Sequence, residues 1–400
     1  MSGVSIRIMA AIALWATCAV VAPAAPASGF DAFVARLRPD AAARGVSAST
    51  FDRAFAGMTP DGAVLALTHK QAEFSIPIWT YLRSAVSARR VAAGRTTYAR
   101  LKPWFDKAER AYGVDPSAIL GVWGLETDFG GFTGDKDVVR SLATLAYARW
   151  RGSLFRDELL DALVILQRGE ATRTQMRGSW AGAMGQTQFM PSSFLKYAVD
   201  FDGRGRRDIW TDDADAIGST ANYLAKHGWV RGMRWGYEVL LPASMLVPGV
   251  DLGGSGGFAA FAAKGVRRAD GGALPRSGDA RLLLPAGAKG PAFLVTANFD
   301  AIRTYNKSIS YSLGVATLGD RVLGRPGIAH SWPTGEKRLT KAQATALQSG
   351  LKRLGFDPGK IDGFIGLDAR AAIRAYQARH GLLADGEPSL ALLARVRSGG

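Results

Sequence analysis

One carboxylate stands out in the stretch "GVWGLETDFGG", Gly121 to Gly131. Ahead of it, Asp115 reads as an N-cap and Pro116 as the first residue of a helix. Ile119, Val122, Trp123 and Glu126 then recur at i, i+3, i+4 and i+7, the stripe that a globular helix turns toward its core. A carboxyl group there loses hydration, its pKa rises, and it becomes a general acid near neutral pH. The stripe is only two turns long. On periodicity alone, a satisfied core carboxylate or an outward-turned Glu126 competes with the acid. Asp128 is a poor catalytic partner, because i and i+2 do not share a helix face.

Three further stretches have residue types suited to a neutral, hydroxyl-rich ligand. "RGSWAGAMGQTQFMPSSF", Arg177 to Phe194, mixes small residues with Ser179, Gln186 and Gln188, and Met190-Pro191-Ser192 opens a new helix. A tight interhelix turn is the plainer reading of the same run. "DIWTDDADAIGSTANYLAKHGW", Asp208 to Trp229, is a helix with Ile217, Ala221 and Leu224 on one stripe and Gly228 as its stop. Its Tyr223 either faces a cleft or packs. In "AIRTYNKSISYS", Tyr305-Asn306 lies on a loop between a strand pair and the next helix. A loop aromatic there suits a sugar ring, although a loop Asn is commonly just a turn residue.

The elements that must hold these residues follow from pattern and composition. The chain has 400 residues, 48% hydrophobic and 21% charged, enough for two or three packed domains. From Phe30 to about Leu241 the pattern is mostly helical. Pro242 to Gly290 is turn-rich, and "ARLLLPAGAKGPAFLVTA" reads as two short strands. A helix is predicted over Tyr311 to Leu323, and "GRPGIAHSWPTGEKR" (324–338) has the composition of a linker. The tail, 339–397, carries Leu347, Leu351 and Leu354 on one helix and Ala372, Ile373 and Tyr376 on another. At the N-terminus, Arg7, an apolar run from Ile8 to Val21 and the Ala25-Pro26-Ala27 site make residues 1–27 a secretory signal peptide. The sole cysteine, Cys18, lies inside it. Lipid anchoring there is the less favoured reading, because "LWAT" poorly matches a lipoprotein box. Cleavage after Ala27 leaves no thiol chemistry.

The motifs "ETDFG", "GSWAGAMGQTQFMPSS", "DAIGSTANYLAKHGW" and "YNKS", in this order and spacing, resemble the lytic murein transglycosylases of the membrane-bound type B class, glycoside hydrolase family 103. The resemblance covers 30–323. The tail elements "LGF", "IDGFIG", "AIRAYQ" and "GLLADG" are similar to the type 1 peptidoglycan-binding domain. The resemblance implies a mainly α fold: a lysozyme-like helical catalytic core over 28–323, a small β-containing subdomain, and a small helical C-terminal module. It implies cleavage of the β-1,4 bond between N-acetylmuramic acid and N-acetylglucosamine in peptidoglycan, with Glu126 as acid and later base. By motif, Ser179 and Gln188 contact the sugar beside the scissile bond, and Tyr223, Tyr305 and Asn306 match other cleft residues. Tyr81 in "IWTYL" matches a further cleft tyrosine more loosely. The expectation is a periplasmic monomer acting on glycan strands, with peripheral envelope association and no cofactor.

Members of the family can carry an EF-hand-like loop, and "DFDGRGRRDIWTDD", Asp200 to Asp213, departs from that pattern. Asp200, Asp202 and Gly205 suit positions 1, 3 and 6. Arg204 stands at position 5 and Thr211 at position 12, where calcium expects oxygens and a bidentate Glu. The expectation is therefore no calcium, with the arginines, Arg206 and Arg207 included, pairing with Asp200 and Asp202. Three rivals compete: a non-catalytic wall-binding or scaffolding protein, which would have no need of Glu126; a muramidase that releases reducing ends; and a nucleic-acid binder suggested by the net charge of +16. The basic residues are scattered, with no dense run interleaved with aromatics, which argues against nucleic acid.

Overall fold

The computed structural model describes residues 29–70, 76–335 and 338–399. The signal-peptide reading of 1–27, and Cys18 with it, lie outside the described residues. Among the described residues there are sixteen α-helices, and no helix is long and apolar enough to cross a membrane. The fold is mainly helical, as the sequence led one to expect.

Residues from Phe30 to Val322 build one large core from helices packed around the buried Pro116–Thr127 helix. The longest helix, Ala88–Tyr112, is capped at Ser87 and ends on Gly113 in the left-handed region. The expected helix positions hold well: Asp213–Lys226 carries the Ile217 stripe, Pro191–Tyr197 starts at the proline, and Ile309–Val322 starts two residues before and ends one residue short of the segment predicted over Tyr311 to Leu323. Two corrections apply. The helical stretch up to Leu241 ends in a strand, Gly236–Leu240. And a short helix, Ala297–Arg303, comes between the last strand and Tyr305, capped by the Thr296 side chain on Asn298 N–H.

That strand completes a sheet larger than the pair read from sequence. Asp279–Leu283 and Ala292–Val295 lie side by side, Gly236–Leu240 joins the latter with Val239 opposite Ala292, and the short strands Ser255–Gly257 and Arg267–Arg268 close the edges. All neighbours are antiparallel. Phe258, Leu282, Leu284 and Leu294 form a second core on this subdomain.

The segment 324–335 has no regular structure but is fastened along its length. Arg325 ion-pairs with Asp115 at 2.8 Å and with Asp320 at 2.9 Å. The Glu238 carboxylate accepts the backbone N–H groups of Ala329 (2.6 Å) and His330 (2.8 Å). Ile328 and Trp332 pack on the main core. The tail has three helices, Lys341–Arg353, Leu367–Arg379 and Leu390–Ser398, around Leu347, Leu351, Ile373, Tyr376 and Val396. It docks on the sheet subdomain. Leu252 N–H donates to Ala384 O and Gly249 N–H to Leu382 O, both at 3.0 Å. The buried Arg370 donates to the carbonyls of Leu284 (3.2 Å) and Pro285 (2.9 Å) and to Glu387 (3.0 Å).

Candidate active site

The Pro116–Thr127 helix is buried on nearly every face; only Leu125 and Glu126 are half-buried. The sequence stripe therefore underestimated its burial. A helix with apolar residues all round lies at the centre of a core, and here Glu126 sits where that centre opens to a cleft. Close packing against the Ile309–Val322 helix fixes the opening. A Cβ on Gly319 would lie 1.8 Å from Ser117 O, and one on Gly121 would lie 2.1 Å from Val315 O. Positions climb on one helix as they descend on the other, so the two run antiparallel. One turn further, this register brings Tyr311 to Glu126, and the Tyr311 hydroxyl donates to Glu126 Oε1 at 2.5 Å.

Burial pushes the Glu126 carboxyl up to about 7, against the opposing pull of the Tyr311 hydrogen bond. The charge of Glu126 is felt at four tyrosines. Tyr81 is pushed up to about 12, first by burial and then by Glu126. Tyr223 is raised by burial, and Tyr305 and Tyr311 are raised well above the usual phenol range by burial, with Glu126 adding in each case. Tyr223 and Tyr305 pack with centroids 4.3 Å apart, and the Tyr223 hydroxyl donates to Thr304 O at 3.0 Å. Tyr311 was missed by sequence reasoning. It lies just past the "YNKS" motif, and only the glycine register of the two helices signals where it goes.

Ser179 and Gln188 line a cavity of about 250 Å³ together with Glu126. Ser179 belongs to a tight turn: its Oγ accepts from Ala183 N–H at 3.0 Å. Gln188 sits in the left-handed region, with φ 50°, and its Nε2 donates to Thr133 O (2.9 Å) and Gly185 O (3.0 Å). Behind them Gln186, also buried, ties the wall to the core by accepting from Trp123 Nε1 at 3.0 Å and donating to Asp213 at 3.2 Å. Asn306 is exposed, and its Oδ1 accepts from Ser308 N–H at 3.0 Å, a turn-forming contact away from the cavity. Tyr81 borders a different cavity, of about 280 Å³, between the core and the tail module. Asp128 caps the helix in the left-handed region and pairs with Arg89 (2.7 Å) and Arg90 (3.0 Å). Burial would raise its carboxyl, but these two arginines hold it below the usual carboxylate range.

The Asp200 to Asp213 loop gathers carboxylates with Asp215. Asp200, Asp202 and Asp215 bring carboxylate oxygens within 4.8 Å of one another. The donors around them are protein groups. Arg204 Nε lies 2.7 Å from Asp202 and its Nη1 3.3 Å from Asp212. Asp200 accepts the N–H groups of Gly203, Arg204 and Gly205. Asp215 accepts those of Phe201 and Asp208, each at 2.6 Å. A guanidinium stands where a calcium loop presents an oxygen. The pairing differs in detail from expectation: Arg206 reaches Asp208 and Arg207 reaches Glu170, while Asp200 caps a backbone turn.

Residues 29–320 match the family model of the transglycosylase SLT domain, and residues 340–396 match that of the putative peptidoglycan binding domain. The chain belongs to the transglycosylase SLT family. It is an enzyme of the lytic transglycosylase class, peptidoglycan-cleaving lyases, with a peptidoglycan-binding module at its C-terminal end. It is similar to SltB3 from Pseudomonas aeruginosa, solved in complex with NAG-anhNAM-pentapeptide: 45% identity, 92% of this chain and 99% of that one, TM-score 0.84. It also resembles the Escherichia coli lytic transglycosylase Slt35 in complex with calcium, at 30% identity over 74% of this chain and 93% of that one, TM-score 0.62. The membrane-bound lytic murein transglycosylase B of Escherichia coli K12 is 35% identical over 247 residues, 60% of this chain and 66% of the relative.

Proposed function

We propose that this lytic transglycosylase cleaves the β-1,4 bond between N-acetylmuramic acid and N-acetylglucosamine, leaving a 1,6-anhydromuramic acid end, with Glu126 as the one catalytic carboxylate. The observation that carries the reading is the Glu126 carboxyl at the mouth of the cleft, hydrogen-bonded by the Tyr311 hydroxyl, beside an Asp128 paired with two arginines. Two-carboxylate glycosidases need a second free acid, and a substrate-assisted route does not. Tyr311 occupies Glu126 Oε1, so the acidic proton is carried on Oε2. That proton goes to the glycosidic oxygen as the bond to the muramic acid C1 breaks. The 2-acetamido group stabilises the cation at C1. Glu126, now ionised, takes the proton of the C6 hydroxyl as its oxygen closes on C1. The proton count balances and no water is consumed. The ligand of the Pseudomonas relative, an anhydro-ended muropeptide, supports this product.

In this reading Ser179, Gln188, Tyr81, Tyr223 and Tyr305 hold the glycan, and Asn306, expected beside them, shapes the turn that carries Tyr305. The module at 339–397 holds the wall, and the chain works in the periplasm as a monomer after loss of residues 1–27. No metal takes part. Calcium addition is expected to leave the melting temperature unchanged, and an upward shift would contradict the Arg204 ion-pair account. The decisive test compares wild type with Glu126→Gln on purified sacculi by mass spectrometry of the products. Wild type should release anhydro ends, lighter by one water than hydrolytic ends, and the variant should release about 10³-fold less or none. Near-wild-type release by the variant would overturn the mechanism.

A further inference from the structure

We infer that Phe132 is a stacking platform for an N-acetylhexosamine ring of the glycan, one residue along the strand from the ring that is cleaved. This rests on the function proposed above. Phe132 is 70% exposed, the highest among the large exposed apolar side chains of the described residues. A scattered surface Phe is ordinary by itself. This one lines the cavity that holds Glu126, Ser179 and Gln188, with Leu67 and Trp180 as apolar neighbours in the same lining.

The loop beneath it is built to hold the ring outward. Phe132 N–H donates to Thr127 O at 3.0 Å, and Gly130 N–H donates to Thr127 Oγ1 at 3.1 Å. Thr127 Oγ1 in turn donates to Gln186 O at 2.8 Å. On the other side, Thr133 O accepts from Gln188 Nε2. Gly134 has φ 96°, and a Cβ there would lie 2.2 Å from Gly178 O, so the loop lies pressed against the opposite wall. Thus the residues on both sides of Phe132 are tied to the walls of the cleft, while its own ring is left in water. A fixed aromatic face loses little freedom on binding, and a pyranose ring offers the apolar C–H face that fits it. The polar groups of the same cavity, Ser179 and Gln188, suit the hydroxyl and acetamido edges of that ring.

The test uses the full chain and defined glycan strands of two and four disaccharide units. Binding is measured in the Glu126→Gln background, which separates stacking from chemistry, and turnover with Glu126 intact. Phe132→Ala should raise Kd for the longer strand about tenfold and lower kcat/KM to match, with the loss carried by KM. Phe132→Trp should restore both, and Phe132→Leu, apolar but not planar, should not. Melting temperatures of all three should match wild type, because the ring is exposed. Unchanged Kd in Phe132→Ala, or full rescue by leucine, would overturn the platform. Failure of the proposed chemistry reads differently: wild type would then release water-added ends while the Phe132 effect on binding persisted.

Discussion

At the residue scale, the site depends on one proton. The Glu126 carboxyl titrates near 7 because burial disfavours its charged form, while the Tyr311 hydroxyl favours that form by donating to it. Bond cleavage needs the protonated acid. Activity is therefore present below about pH 7 and lost as pH rises through it. Replacing Tyr311 with Phe removes the donor, so the carboxyl should titrate higher still and the alkaline limb of kcat/KM should move upward. The same change frees Oε1 and loosens the carboxyl, so the plateau should fall by about 10-fold or more. A pH–rate profile of both proteins checks this. An alkaline limb that stays in place or moves downward would refute the role of Tyr311. The acid itself was legible in the sequence, although the stripe argument alone left it in competition with a core carboxylate. Tyr311 was not legible, because no spacing within one helix reveals a partner 185 residues away.

At the element scale, the fold reduces to how closely two helices approach. Gly121 and Gly319 let the Pro116–Thr127 and Ile309–Val322 helices touch backbone to backbone, and that register sets where Tyr311 meets Glu126. A methyl at Gly319 meets a carbonyl that cannot move aside. Gly319→Ala should destabilise the protein by about 1–3 kcal/mol and lower activity more than the lost stability explains, since the tyrosine shifts with its helix. Thermal melts and kcat measured well below the melting temperature separate the two effects. Helix positions were readable because caps, prolines and stop glycines mark them chemically. The strand Gly236–Leu240 was not, because its partners come from residues far along the chain and its local pattern merges with the preceding helix. The short Ala297–Arg303 helix was hidden in the same way, being only seven residues long.

At the scale of the whole molecule, the tail is joined to the body by more than the intervening chain. Arg370 is buried against two carbonyls and Glu387, whose own carboxyl is raised by burial with Arg370 opposing. Removing one partner of a buried pair leaves the other uncompensated. Arg370→Ala should weaken docking by about 3 kcal/mol, seen as faster protease cleavage within 324–338 and a lower melting temperature for the tail. Unchanged protease resistance would show that the backbone contacts suffice. Composition foretold a segment without regular structure at 324–338, and its described residues 324–335 have none. What composition could not convey is that Glu238, Asp115 and Asp320 hold it down, because those partners lie 5 to 210 residues away.

The fastened segment has a mechanical consequence. A blade on a loose leash sweeps a volume and reaches any linkage within its length. Here the tail is hydrogen-bonded to the sheet subdomain and the segment before it is pinned at Arg325 and by Glu238, so a molecule seated on the wall is expected to reach bonds near a single offset from its foothold. To cut elsewhere it must let go and land again. Its choice of bond is thus written into the length and angle of the body as well as into the cleft.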